Sequence, residues 1–364
     1  MIRDYSKFLS PNSKAGGSER QISAIETLGW QPYFAQQISV DELAQTPPVR
    51  IVEVHRNALH VIGNDIDETI LPPPGATIGD WLLLDRVNPQ SSRILDRKSL
   101  VKRRAPGTER KEQLIAANID TVFIVTSCNQ DFNVARLERY IALAFEAEIT
   151  PVIILTKSDL AVSSESYVNE AQAISDLAPV VLLDARGDEP RVKLADWCVR
   201  GATVAFLGSS GVGKSTLTNA LAGNQSIETQ AIREGDAKGR HTTSRRQLHI
   251  VPGGYVVLDT PGMRELQLTD AATGIGDVFT DLRSLSIQCR FSDCRHTAEP
   301  GCAILKAVEN GEVDEARFGR WQKLMAEEAF NSASYAERKS KDKSLGKTVR
   351  LVQKQKKKRT RDDD

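Results

Sequence analysis

The sequence predicts a multidomain chain. A small N-terminal β-barrel leads into a central α/β domain with a doubly wound parallel sheet, and a C-terminal helical domain is organised by a metal. Three observations predict this. Short strand-like segments separated by turn residues fill positions 48–104. From about residue 110, apolar strands alternate with amphipathic helices, and one strand runs directly into a glycine-rich loop. Three of the five cysteines fall within the fourteen residues 289–302.

At 364 residues the chain has room for two to three domains with sizeable cores. Its 40% hydrophobic and 26% charged content is that of an ordinary soluble globular protein. No run of eighteen apolar residues occurs, so no transmembrane helix is expected. The first twenty residues lack an apolar signal core. The expectation is a cytoplasmic location without membrane contact. The cysteines are Cys128, Cys198, Cys289, Cys294 and Cys302, and an odd number in a cytosolic chain argues against a disulfide framework.

The formal net charge is zero, but the charges are unevenly placed. Between Arg338 and Arg361 lie twelve Lys or Arg residues and a single acid, Asp342; Asp362, Asp363 and Asp364 then reverse the sign. A basic tail favours phosphate-rich partners through counterion release. A solvated end with no partner is the plainer alternative.

Residues 1–47 read as an N-terminal extension. Within it, Leu28–Phe34 forms either a short helix or a docking element. Residues 48–106 read as the barrel, with strands over 49–62, 67–75, 79–86 and 92–103. Arg86, Arg93, Arg97, Lys98, Lys102, Arg103 and Arg104 make its end basic, as in small barrels that bind nucleic acid; a purely structural barrel is the alternative.

Residues 107–274 read as the α/β domain. Its strands are expected at 121–127, 151–156, 180–185, 202–207 and 255–259, with helices near 133–149, 166–177 and 215–223. Strands covered on both faces should be continuously apolar, and these are. Residues 275–335 read as the C-terminal helical domain, with a long helix from about 315. Residues 336–364 form the basic tail.

Gly208-Ser209-Ser210-Gly211-Val212-Gly213-Lys214-Ser215 matches G-x-x-x-x-G-K-[ST] completely, with an apolar strand before it and a helix after it. Such glycines let backbone N–H groups wrap phosphates without Cβ clashes, and the helix N-terminus adds positive field. Lys214 is expected on the β- and γ-phosphates and Ser215 on Mg²⁺. This loop specifies a nucleoside triphosphate without specifying the base.

Asp259-Thr260-Pro261-Gly262 lies at the end of a strand 45 residues beyond Lys214. An acid there can hold Mg²⁺ through water, and the Gly262 N–H can sense the γ-phosphate. Thr156-Lys157-Ser158-Asp159 ends another strand and resembles the guanine-reading N-K-x-D motif, with Thr in place of Asn. A carboxylate at Asp159 can accept from N1–H and the 2-amino group of guanine, a pattern adenine lacks. Lys157 would cover the base, and the Thr156 hydroxyl can brace the loop. In ordinary small GTPases the guanine motif follows D-x-x-G. Here it precedes the phosphate loop, so the motif order is cyclically permuted.

Between the phosphate loop and Asp259 lies Lys238–Ser244. Thr243, or else Thr242, is the expected Mg²⁺ ligand that closes over the γ-phosphate. Met263 stands where small GTPases usually carry a water-orienting Gln, and methionine cannot polarise water. His241 is the nearest polar candidate for that role. A structural histidine and a catalytic group supplied by a partner are the alternatives.

Cys289, Cys294, His296 and Cys302 give C-x₄-C-x-H-x₅-C. Thiolates and an imidazole at this spacing suit tetrahedral Zn²⁺, and four protein ligands make a closed, structural site. Cys128 and Cys198 read as small buried hydrophobes. His55, His60 and His249 are assigned no chemistry.

Over about residues 48–330 the chain resembles the circularly permuted bacterial GTPases called ribosome small subunit-dependent GTPase A. The residues carrying the resemblance are Thr156–Asp159, Gly208–Thr216, Gly239–Thr243, Asp259–Gly262, the knuckle Cys289, Cys294, His296 and Cys302, and the stretch 117–140. The resemblance implies an OB-fold barrel, a permuted GTPase domain using Mg²⁺ with GTP, and a C-terminal domain with one structural Zn²⁺. It implies late maturation of the 30S ribosomal subunit, with hydrolysis of GTP to GDP stimulated by that subunit. It further implies 16S rRNA contacts by the barrel and the zinc domain. Thr156 departs from the family's Asn, and the 28–34 segment and long basic tail mark a divergent member. Nothing in the sequence demands more than a monomer. An RNA-binding module that uses nucleotide only as a structural ligand, and a P-loop ATPase or small-molecule kinase, are the competing classes. Lys214, Ser215 and Asp259 favour turnover over mere binding, and Asp159 favours GTP over ATP.

Overall fold

The computed structural model describes residues 23–104, 112–161, 163–222, 246–259 and 270–332. It opens with three short helices, α1 (Ala24–Thr27), α2 (Pro32–Ala35) and α3 (Val40–Gln45). Helices this short do not hold by themselves, because nucleation costs more than one turn returns. Packing holds them. Leu28 and Phe34 are fully buried, and Trp30 lies edge-on to Trp81 with ring centroids 4.7 Å apart. Burial of Leu28 and Phe34 contributes about 1.5–3 kcal/mol each. The 28–34 segment is therefore a docking element, helical only from Pro32.

Five antiparallel strands follow: β1 (Pro48–Val54), β2 (Leu59–Gly63), β3 (Ile66–Ile70), β4 (Trp81–Leu83) and β5 (Arg93–Ile94). They pair in the order β5-β4-β1-β2-β3 around a core that includes Val49, Ile51, Val61, Ile66, Leu82 and Leu84. A register shift between Ile51 and Glu53 divides β1. Before it, Pro48–Arg50 pair with β4; after it, Glu53 and Val54 pair with Gln247 and Arg246. Among the described residues no pairing joins β3 to β5.

The predicted barrel strand at 92–103 is corrected. It divides into β5 and β6 (Leu100–Arg104), and β6 leaves to form a separate hairpin with β7 (Glu112–Ala117). Val101 and Ile115 of this hairpin join the main core, and Lys102 pairs with Glu112 at 3.1 Å. Three further cations of the predicted basic end have acidic partners. Arg93 pairs with Glu42 (3.0 Å), Arg97 with buried Asp80 (2.7 Å), and Lys98 with Asp120 (2.7 Å).

The α/β domain comprises β8 (Thr121–Ser127), α4 (Val134–Glu146), β9 (Thr150–Thr156), α5 (Glu165–Gln172), β10 (Val180–Leu182) and α6 (Glu189–Lys193). It continues with β11 (Thr203–Leu207), α7 (Lys214–Ala222), β12 (Arg246–Ile250) and β13 (Val256–Asp259). Strands β10-β9-β8-β11-β13 are parallel, and β12 adds antiparallel to β13. Because β12 also pairs with β1, eleven strands of the described residues form one sheet. Strand β8 shows the double winding directly. Val122 and Ile124 pack in one core with Leu137 and Ile141 of α4, whereas Phe123 and Val125 pack in another with Leu217 and Leu221 of α7. Period-two alternation sends successive side chains to opposite faces, and helices cover both. Helix α4 forms because Asn133 caps it, accepting from the Arg136 N–H at 2.9 Å, and because Leu137, Tyr140, Ile141 and Ala144 fall on one face.

The C-terminal helices are α8 (Ala272–Val278), α9 (Thr280–Ser286), α10 (Ala303–Glu309) and α11 (Glu315–Ser332). Helix α8 lies against α4 so closely that a Cβ on Gly274 would come within 2.1 Å of the Ala142 carbonyl oxygen. Residues 274 and 275, where the sequence divides the two domains, both lie within α8. Among the described residues no helix is long and apolar enough to cross a membrane.

Candidate functional site

The chain steps outward from β8 through β9 to β10, then returns to the centre as β11. In open α/β sheets, ligands bind at the strand carboxyl ends beside such a reversal. The Gly208–Ser215 loop leaves β11 at this edge. Ser127 ends β8, Thr156 ends β9 and Asp259 ends β13 at the same edge.

The loop needs its glycine at 208. Its φ is 149°, and a Cβ there would come within 2.2 Å of the Val125 carbonyl oxygen. Val212 is buried and anchors the loop, whereas Ser210, Gly211, Ser215 and Thr216 are exposed. Helix α7 begins at Lys214, so its N-terminus faces the loop's concavity. The Lys214 ammonium donates to the Gly208 carbonyl at 2.8 Å and to the Ser209 carbonyl.

Thr156 is fully buried, and its Oγ1 lies 2.7 Å from the Val212 carbonyl oxygen and 3.1 Å from that of Thr126. A hydroxyl has one proton, and the shorter contact ties the 156–159 turn to the phosphate loop. Lys157 adopts a left-handed conformation (φ 57°), and Asp159 is exposed.

Sequence reasoning missed two neighbours. The first is Asp131, whose carboxylate accepts from the Ser209 hydroxyl at 2.7 Å and pairs with Arg136 at 2.9 Å. Its position between the end of β8 and the Asn133 cap was the available signal. The second is the turn after β10. Arg186 Nη2 donates to Asp159 Oδ2 at 2.8 Å and to Asp184 Oδ2 at 3.1 Å, while its Nε donates to Asp184 Oδ1 at 3.0 Å. Hydrogen bonds from Arg186 hold the Asp184 carboxyl below the usual carboxylate range. His241, Thr242, Thr243, Thr260, Pro261, Gly262 and Met263 lie outside the described residues, as does the basic tail; of Asp259 only the backbone is described.

Cys289, Cys294, His296 and Cys302 converge, with one ligand atom from each lying within 4.8 Å of the others. Cys289 Sγ is 3.6 Å from His296 Nδ1 and 3.9 Å from Cys302 Sγ, and His296 Nδ1 is 3.4 Å from Cys302 Sγ. A tetrahedral site with metal–sulfur bonds of about 2.3 Å has sulfur–sulfur edges of about 3.8 Å and sulfur–nitrogen edges of about 3.6 Å. The donor set therefore fits a metal of that size. Burial penalises the Cys289 thiolate, but backbone N–H groups of Ala303 and Ile304 at the start of α10 outweigh it and bring the thiol below its ordinary value. Helix α11 buttresses the knuckle. Gln322 donates to the His296 carbonyl at 3.1 Å, and the Trp321 ring lies 5.4 Å from the imidazole. Cys128 is buried, and burial pushes the Cys198 thiol up to about 12, so neither has thiolate character.

A phosphate loop at the reversal point of a parallel sheet, with a guanine-type motif ahead of it in sequence and beside it in space, defines a circularly permuted P-loop GTPase. A profile of the RsgA GTPase family matches residues 94–269, and an ABC transporter profile matches residues 196–352, a stretch that includes the phosphate loop. A small ribosomal subunit biogenesis GTPase RsgA 2 of Vibrio parahaemolyticus is 45% identical over 339 residues, covering 92% of this chain and 94% of its own. The RsgA of Mesorhizobium japonicum is 46% identical over 317 residues, 85% of this chain and 91% of its own. The crystal structure of YjeQ from Thermotoga maritima superposes with a TM-score of 0.55 at 28% identity, covering 77% of this chain and 97% of that one. That of YloQ, described as a circularly permuted GTPase, gives 0.53 at 26% identity, covering 80% and 97%. The chain belongs to the RsgA GTPase family.

Proposed function

We propose that this chain is a cytoplasmic, monomeric GTPase that assists late maturation of the small ribosomal subunit, its turnover stimulated by that subunit and its release following hydrolysis. The observation that carries the nucleotide half is the Thr156–Val212 hydrogen bond, which fixes the guanine-type turn to the phosphate loop. The ribosomal half rests on the names of relatives that match nearly the whole chain.

In this reading the amides of 208–215 and Lys214 bind the phosphates, Lys157 covers the base, and Asp159 accepts from guanine. Ser215 and Thr243 would hold Mg²⁺, with Asp259 reaching it through water; the ion's contribution is charge neutralisation at the β- and γ-phosphates. Gly262 reports the γ-phosphate and His241 orients water. Cys289, Cys294, His296 and Cys302 hold one structural Zn²⁺. The N-terminal strands form an OB-type barrel, which contacts 16S rRNA together with the zinc domain and the basic tail.

The test is GTP hydrolysis by the purified chain with and without 30S subunits, with ATP and 50S subunits as controls. Stimulation confined to GTP and 30S is expected. Intact GTP binding without 30S stimulation would leave a GTP-responsive RNA-binding module activated by another partner.

A further inference from the structure

We propose that Arg186 is a positioning residue for base recognition, bridging Asp184 and Asp159 so that the Asp159 carboxylate is aimed at the two N–H donors of guanine. This rests on the assignment of Asp159 as the base reader.

The argument starts from two acids on separate loops. Asp159 follows β9, and Asp184 follows β10. One guanidinium serves both. Arg186 Nη2 donates to Oδ2 of each, at 2.8 Å for Asp159 and 3.1 Å for Asp184, and Nε adds a 3.0 Å bond to Asp184 Oδ1. The Arg186 N–H also donates to Asp184 Oδ1 at 3.0 Å, which sets the turn that presents the side chain. Without the cation, two like charges would face each other and push the loops apart. With it, the contact to Asp159 engages Oδ2 and leaves Oδ1 and the remaining lone pair of Oδ2 for the base. Thr156 cannot share the reading, because it is buried and its hydroxyl is committed to Val212. A planar fork can hold two carboxylates in fixed geometry, which a lysine ammonium does less well.

The experiment measures dissociation constants of GDP and ADP for the full chain and its variants. Arg186→Ala is expected to weaken GDP about fivefold, the scale of an exposed charge pair, and to lower the GDP-over-ADP ratio by the same factor. Arg186→Lys should restore part of the loss. Asp184→Asn added to Arg186→Ala should also restore part, because it removes the repulsion; a merely structural role for Arg186 would not respond this way. GDP binding that is unchanged or tighter in Arg186→Ala overturns the proposal, tighter binding meaning that Arg186 competes with the base. Asp159→Asn separates the two ideas. It should lose GDP and gain xanthosine diphosphate, because the amide presents a donor to the 2-oxo group. If it binds GDP as the parent does, the base-reader assignment fails and the proposal with it; if it switches base while Arg186→Ala binds GDP unchanged, only the role of Arg186 fails.

Discussion

The Glu138 carboxylate, fully buried on α4, takes hydrogen bonds from the Arg320 guanidinium of α11 on both oxygens, at 3.0 and 2.9 Å. Arg317 approaches the same carboxylate at 3.8 Å while pairing with Asp281 and lying 4.7 Å over the Phe279 ring. The helix that buttresses the cysteine knuckle is thereby clamped to a helix of the nucleotide-binding sheet. Glu138→Ala would leave guanidinium charge without its buried partner, and about 3–5 kcal/mol of stability should be lost. Glu138→Leu combined with Arg320→Met should cost much less, because neither charge is then stranded. Urea denaturation of the two variants checks the contrast.

Arg50 plays a comparable part at the other end. It is buried inside the N-terminal strands and donates to the carbonyls of Leu28, Gly79 (3.3 Å) and Asn118 (3.2 Å). Burial lowers its guanidinium to about 10, so it stays charged at neutral pH. Arg50→Met keeps the volume but leaves the Leu28 and Asn118 carbonyls without that donor, while Gly79 keeps the Asn118 side-chain amide at 3.0 Å. A loss of about 3–5 kcal/mol is expected, from about 1–3 kcal/mol per buried orphan. Limited proteolysis should also open the segment around residues 28–34 before the rest of the chain.

At the nucleotide site, Thr156→Val is nearly isosteric but removes the hydroxyl that joins the guanine-type turn to Val212. Nucleotide affinity should fall about tenfold, corresponding to one buried hydrogen bond. Equilibrium titration with a fluorescent GDP analogue measures it. Lys214→Ala should abolish measurable GTP turnover, which a phosphate-release assay reads; parent-like turnover would remove the central assignment.

For the knuckle, Cys294→Ser should release the metal and loosen the 289–302 loop from α11, while GDP still binds. Metal content by emission spectroscopy is expected to drop from one zinc per chain to none. Retention of one zinc would mean that Cys294 is not a ligand.

Much of the fold was legible wherever a strand or helix carries its own pattern. The apolar run Val122–Val125 announced a strand buried on both faces, and the single apolar face of Val134–Glu146 announced an amphipathic helix. The β6–β7 hairpin was not legible. Glu112–Ala117 lacks clean alternation, and only pairing with Leu100–Arg104 makes it a strand. The ion pairs at the basic end were not legible for a related reason. Positive residues were visible, but Glu42, Asp80 and Asp120, which pair with three of them, come from distant segments.

The motifs that can be read without tertiary structure are those whose atoms act together within one short stretch. The loop Gly208–Ser215 carries its glycines and lysine at covalently determined intervals, and Cys289–Cys302 holds four ligand atoms within fourteen residues. Permutation was also readable, since it is a fact about motif order. Contacts between loops were decided only by folding. Thr156 meets Val212 across 56 positions, and Ser209 meets Asp131 across 78. The physical reason is that a parallel sheet aligns the carboxyl ends of strands far apart in sequence, so one edge gathers groups whose spacing along the chain carries no trace of their proximity.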